Sequence, residues 1–251
     1  MRSSSPDLSC EGRRVTPERL DYLPANDPLA VASRRDLRRV HRVMRSLTIL
    51  KSAVSALAGV SPPRHILELG AGDGSLMLRL ARAMRPYWGE IQLTLLDRQE
   101  LLSPPMRRAF IDLGWEVTVL RRDAVEWAQS PPSQHYDLCV TTLFLHHFAD
   151  GDLARLLAGL ATRIDAFVAC EPRRSPAARM GSRLIGLLGA NEVTREDSVK
   201  SVAAGFNTTE LTELWATLPG EWHTDEYGAW PFTHCFRAYR SEPARQVRHE
   251  R

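Results

Sequence analysis

Apolar residues recur at Leu37, Val40, Met44, Leu47, Leu50, Val54 and Leu57, a spacing of three or four that lines them up on one stripe of a helix. The pattern predicts an amphipathic helix or helix pair over 33–58, with Ser33 at the N-cap position and the arginines between 34 and 45 on its wet face. From 61 onward the period changes. Short apolar runs at 65–69, 91–96, 116–120, 136–141 and 166–170 are bounded by turn residues, and helical stretches at 75–84, 101–112 and 152–163 lie between them. Alternation of this kind implies parallel strands joined by crossover helices.

After Cys170 the alternation is interrupted by about 35 residues that read as an insertion over 173–205, by the same spacing rule. It carries one helix over 176–188, with Met180, Leu184, Leu187 and Leu188 on one face, and a second over 197–204, introduced by Thr194 and stopped by Gly205. A further helix follows Asn207, whose spacing to Glu210 is that of a capping-box variant. Runs at 222–227 and 232–239 then read as two closing strands with Pro231 in the connection. The expected organisation is a tail over 1–25, an N-terminal helical lid segment over 26–60, an α/β domain over 61–240 and a C-terminal tail over 241–251.

Composition changes this picture little. A chain of 251 residues, 43% hydrophobic and 25% charged, is long enough for one full core with appendages. The net charge of +3 is small and the arginines gather in the termini and at 34–45, so a nucleic-acid partner is not expected. Cys10, Cys139, Cys170 and Cys235 lie far apart without C-x-x-C spacing; reduced thiols and no metal are expected. No apolar core of a signal peptide occurs in 1–14 and no segment approaches the roughly 20 apolar residues of a membrane span, so a cytoplasmic location without membrane insertion is the expectation.

The chemistry is concentrated at the strand ends. The run over 66–75 is an apolar strand that ends in Glu68-Leu69-Gly70-Ala71-Gly72-Asp73-Gly74 and opens a helix. Glycines there let the backbone pass close to a ligand, and the helix start offers free N–H groups, so a nucleotide-like ligand is expected. The turn reads G-x-G-x-G after an acid, whereas a dinucleotide fingerprint reads G-x-G-x-x-G. A buried carboxylate before the loop suits a cationic ligand group and would gain nothing beside a pyrophosphate. Asp97 ends the next strand, where a carboxylate can accept both hydroxyls of a ribose, and Asp123 ends the third. Either acid also has an ordinary reading as a turn or N-cap residue.

With these motifs in order, the segment 65–239 resembles the class I S-adenosylmethionine (SAM) dependent methyltransferases, a Rossmann-like fold. The resemblance implies a seven-stranded, mostly parallel sheet with helices on both faces, an antiparallel last strand, N-terminal helices and a helical insertion after strand 5. It implies SAM as cofactor, bound by Glu68, Gly70, Ala71, Gly72, Gly74, Asp97, Arg98, Asp123, Ala124, Thr142 and Leu143. The N-terminal region, Glu171-Pro172-Arg173-Arg174 and the stretch 191–215 further resemble bacterial small-molecule methyltransferases that accompany polyketide biosynthesis. This implies a small-molecule acceptor, with a phenolic or polyketide-derived hydroxyl favoured. A hydroxyl must lose its proton, and histidine is the side chain best suited to take it. His146 and His147 follow strand 4 and His234 lies in the last strand; all three are candidate bases, with helix capping or packing as their alternative roles. N- or C-methylation on the same scaffold, and a SAM-binding protein without turnover, are the competing readings.

Overall fold

The computed structural model describes residues 12–57 and 62–240. Cys10, the end of the first predicted helical region at 58 and the C-terminal tail at 241–251 lie outside them.

Strands β1 (His65–Leu69), β2 (Ile91–Asp97), β3 (Trp115–Arg121), β4 (Tyr136–Thr142), β5 (Ile164–Pro172), β6 (Trp222–Ala229) and β7 (Thr233–Arg240) form one sheet in the order β3-β2-β1-β4-β5-β7-β6. The first five are parallel, and β7 runs antiparallel to both β5 and β6. Strand order reverses between β1 and β4, so the crevice at their carboxyl ends is where this architecture takes its ligand.

Helices α1 (Pro28–Val43), α2 (Ser46–Ser55), α3 (Ser75–Met84), α4 (Pro104–Ile111), α5 (Ala124–Gln129), α6 (Asp150–Ala161), α7 (Pro176–Leu184), α8 (Glu192–Ala204) and α9 (Glu210–Trp215) complete the described fold with three short 3-10 turns. Side chains alternate across the strands and feed two cores. Ile66, Leu93, Leu95, Val140 and Val168 pack with α2 and α3 on one face. Leu67, Leu69, Leu96, Cys139 and Phe167 pack with α5, α6 and α9 on the other. On the second face Trp215 stacks on Phe167 with ring centres 5.1 Å apart.

Several boundaries differ from expectation, each for a local reason. The first helix starts at Pro28, because the Asp27 carboxylate accepts from the Leu29 and Ala30 amides at 2.8 and 3.4 Å. Ser33 is therefore a buried interior residue, its hydroxyl 3.0 Å from Asn191 Oδ1. Arg45, at φ 54, separates α1 from α2. The six residues of α5 carry too little periodicity to be read from sequence. In the insertion, α8 begins earlier than expected, capped by Asn191 at 2.8 Å from the Thr194 amide. Residues 12–25, expected in a tail, are instead packed on the domain: the Arg14 amide donates to Ala203 O at 3.1 Å, and the Arg13 side chain to Ala204 O and Phe148 O at 3.0 Å each. Cys139, Cys170 and Cys235 are buried free thiols.

Candidate active site

The glycine loop is drawn between β1 and β2. Gly70 and Ala71 donate their amides to Leu96 O at 2.9 and 3.3 Å, and the Gly72 amide donates to Asp97 Oδ2 at 2.9 Å. The other oxygen of Asp97 accepts from the Gln99 amide at 2.9 Å. Gly70, Gly72 and Gly74 all take left-handed backbone angles. A Cβ at Gly70 would run into the Phe144 ring, whereas one at Gly72 would meet nothing within 4 Å. The loop thus presents bare backbone to an open space. Glu68, 5% exposed, borders that space with Oε2 buried and without a hydrogen-bond partner. Burial, with Asp73 and Asp97 nearby, pushes its carboxyl well above the usual carboxylate range.

Across the crevice the chain after β4 is wound around one carboxylate. Glu171, fully buried at the end of β5, accepts from the Phe144 amide at 3.1 Å and the Leu145 amide at 3.0 Å, and its Oε2 lies 2.8 Å from His146 Nδ1. Leu143 adopts φ 55 to make this turn. The second nitrogen of His146 faces Glu18 Oε1 at 3.3 Å. Burial opposes charge on His146, but hydrogen bonds and attraction from Glu171 and Glu18 outweigh it and push its pKa up to about 9. Burial raises both Glu171 and Glu18, but His146, with the Leu145 and Phe144 amides on Glu171 and the Ser201 hydroxyl on Glu18, outweighs it and holds them below their ordinary values.

Glu18 belongs to the segment 12–23, which crosses the site as a strap. The Arg19 and Leu20 amides donate to the two oxygens of Asp197 on α8 at 2.8 and 2.9 Å. Asp21 Oδ2 then lies 3.1 Å from His147 Nδ1, and its other oxygen is 3.7 Å from the Arg98 guanidinium. Strap, loop, turn and insertion enclose a cavity of about 270 Å³. Glu68, Gly70, Ala71, Gly72, Thr142, Leu143, His146 and His147 of the expected site line it; Gly74, Asp97, Arg98, Asp123, Ala124 and His234 do not. Asp97 bears on the cavity through the Gly72 amide. Asp123 is the N-cap of α5, accepting from the Val125 and Glu126 amides at 2.8 and 3.1 Å. His234 is corrected as a base candidate: its Nε2 lies 2.7 Å from Glu226, whose carboxylate also accepts the Leu211 and Thr212 amides, so it pins α9 to the sheet.

Residues 66–165 match the protein family described as Methyltransferase domain. This stretch, which runs from β1 into β5 and holds the glycine loop and the post-β4 turn, is thus similar to methyltransferase domains. Over 111 residues it is also 30% identical to CymA, a probable nonribosomal peptide synthetase of Salinispora arenicola strain CNS-205; the match covers 44% of this chain and 1% of that protein. Among solved structures, the fold is similar to the plantazolicin methyltransferase BpumL in complex with S-adenosylhomocysteine. The TM-score is 0.62 at 14% identity, covering 86% of this chain and 92% of that one. It is also similar to an O-methyltransferase family protein from Burkholderia thailandensis, with TM-score 0.56, 14% identity and coverage of 87% and 63%. Magnesium protoporphyrin IX methyltransferase from Synechocystis PCC 6803 with bound S-adenosylhomocysteine gives 0.53, 15% identity and coverage of 89% and 92%.

The residues of the cavity suit the SAM that the sequence resemblance implies. Glu68 offers a buried, unpartnered oxygen to the cationic amino group, and the open side of Gly72 leaves room where a Cβ would intrude. Asp97 has spent one lone pair of each oxygen, which leaves acceptor capacity for ribose hydroxyls. Three residues of the site were not found from sequence: Glu18, Asp21 and His41. Only a Pro- and Arg-rich setting surrounds Glu18 and Asp21, and their histidine partners lie more than 120 positions away, His147 at 126. His41 lines the cavity beside Ser46, at 3.1 Å, and burial drops its pKa to about 4, so it stays neutral.

These shifts give the protein's stability a signed pH dependence. His146, raised from 6.5 to about 9, lends stability that is complete below about pH 6.5 and lost as pH rises to about 9. His41, lowered from 6.5 to about 4, lends stability that is lost as pH falls through that window. Urea midpoints measured between pH 4 and 10 are expected to peak near neutrality, with an alkaline loss on the order of 3 kcal/mol for the His146 cluster. His146→Gln should flatten the alkaline limb; an unchanged limb would refute the assignment.

Proposed function

We propose that the protein transfers a methyl group from SAM to the hydroxyl of a small, largely apolar acceptor, phenolic or polyketide-derived, with His147 as the proton acceptor. The observation that carries this reading is the pair of histidines in the cavity with opposed settings. His146 has a carboxylate on each nitrogen and is held charged, so it has no free lone pair to offer. His147 has Asp21 on Nδ1 alone, which orients the ring and leaves Nε2 as the basic position. SAM, held by Glu68 and the glycine loop, would supply an electrophilic methyl group and depart as S-adenosylhomocysteine, and His147 would take the proton that the acceptor hydroxyl gives up.

The acceptor's character is supported by the cavity wall away from the glycine loop. Leu37, Val40, Met44, Ile185, Val202 and Phe232 line it, and the cationic Arg34 is placed among them. Two of the similar structures are named as plantazolicin and magnesium protoporphyrin IX methyltransferases. We further read the strap, α1 and the insertion 173–205 as a lid that excludes water and holds the acceptor. Asp197→Ala, which releases the Arg19 and Leu20 amides, should raise acceptor KM and lower kcat by about tenfold or more. SAM affinity measured by calorimetry should change far less. Equal kinetics in the variant would remove the lid reading.

The deciding experiment is turnover of methyl-labelled SAM against phenolic, amine and carboxylate acceptors of matched apolar size. An O-methyl product from the phenols alone is the expected result. A product methylated on nitrogen or carbon would replace the acceptor assignment, and SAM binding without turnover on any class would replace the enzyme by a binding protein.

A further inference from the structure

The molecule exposes an unusual grouping of apolar and cationic side chains at one mouth of the cavity. Met180, Leu184, Leu187 and Leu188 follow at three- and four-residue spacing along α7 and the 3-10 turn after it, so they form one ridge. They are 63, 52, 83 and 46% exposed. Leu188 also lines the cavity, as does Val43, 45% exposed, from the end of α1. Trp230, 74% exposed in the β6–β7 connection two positions before the cavity-lining Phe232, lies under the Arg45 guanidinium at 5.6 Å. The ridge therefore continues into the cavity wall, and apolar side chains stand on both sides of its mouth.

The two segments that carry the ridge and Val43 hold cations and no acid of their own. Residues 37–57 carry Arg38, Arg39, Arg42, Arg45 and Lys51 without an acid, and residues 173–191 carry four arginines without an acid. Arg38 and Arg39 are paired with Asp73 and Asp36. Among the described residues, no ion pair involves Arg42, Arg45 or Arg183, all of them exposed. Apolar tips, an exposed indole and uncompensated arginines together match an anionic lipid–water interface, where each apolar group leaves water and each cation meets a phosphate. A second copy of the chain fits poorly, since a two-fold contact through this patch would set Arg42, Arg45 and Arg183 against themselves. No helix of the described residues is long and apolar enough to cross a membrane, so the contact is superficial.

We propose that this mouth docks on an anionic lipid surface, so that a lipophilic acceptor passes from the membrane into the cavity without crossing water. Docking stands apart from methyl transfer and is read by binding alone. The full-length protein is floated with phosphatidylcholine vesicles and with vesicles holding about 30 mol % phosphatidylglycerol, at about 0.1 M salt. Binding to the anionic vesicles is expected to be about tenfold tighter or more, and to weaken with added salt. Two double variants, Leu184→Asp with Leu187→Asp and Arg42→Glu with Arg45→Glu, should each lose about tenfold or more while keeping the native circular dichroism and thermal midpoint. Trp230→Phe should abolish the blue shift of fluorescence on binding. Equal affinity for the two vesicle types, or undiminished binding by either folded double variant, overturns the proposal. So does a concentration-dependent dimer that Leu187→Asp abolishes, since the ridge would then be an interface between copies.

Discussion

Gly72→Val is expected to abolish SAM binding in a chain that still folds. The native residue sits at φ 54 with no atom within 4 Å of where a Cβ would lie, and it borders the cavity. Two penalties therefore separate cleanly. A β-branched residue in the left-handed region costs about 1–2 kcal/mol of stability, while its two γ-methyl groups occupy the space the cofactor needs. Gly114→Val measures the first penalty alone, because Gly114 has φ 81 and open surroundings but does not line the cavity. Calorimetry should find no SAM binding to the Gly72 variant, unchanged affinity in the Gly114 variant, and similar urea midpoints for both. Asp97→Ala should act at the same place by a different route, since it frees the Gly72 and Gln99 amides that shape the loop and removes the acceptor for ribose hydroxyls, about 1.5–3 kcal/mol per charge-assisted bond. Native SAM affinity in a folded Gly72→Val protein would refute the placement of the cofactor.

His147→Gln should lower turnover by about 100-fold or more while SAM affinity stays near its native value, because a base acts on the acceptor's proton and not on the cofactor. Asp21→Asn should produce a smaller loss, about tenfold, through the orientation of the ring. Raising the pH should restore part of the His147→Gln loss with a phenolic acceptor, whose own ionisation near pH 10 replaces the missing base. The neighbouring histidine serves as the contrast. His146→Gln leaves the buried Glu171 and Glu18 without their cation, and breaking a buried pair from one side costs about 3–5 kcal/mol. Its damage should therefore appear first as a lowered melting temperature. Full turnover in the folded His147 variant would eliminate histidine catalysis from this turn.

Much of the architecture is local information and was legible in the chain. The β1 limits at His65–Leu69 and the α3 limits at Ser75–Met84 coincide with the sequence reading, because an apolar run, a glycine turn and a 3.6-residue stripe each declare themselves within a few positions. The family match over 66–165 falls on the same stretch. Glu68, the glycines and the histidines at 146 and 147 were singled out for the same reason: a strand end adjoining a turn marks where a doubly wound sheet opens to its ligand.

What the tertiary structure alone decided is how those groups are paired. Nothing near His146 and His147 in sequence distinguishes them. One becomes a fixed cation because Glu171 and Glu18 meet on it from 25 and 128 positions away, and the other, among the described residues, has its ion-pair contact with Asp21 through Nδ1 alone. Likewise His234 belongs to Glu226 and the hold on α9, and Asp123 to the cap of α5. Ser33 is occupied by Asn191, which leaves the start of α1 to Asp27. Composition marks 12–25 as a tail, yet its amides and acids find α8 and the post-β4 turn. Secondary structure obeys periodicity within a window of some ten residues, whereas the charge state of a buried side chain depends on which carboxylates the fold brings to it, and that is a property of the closed chain.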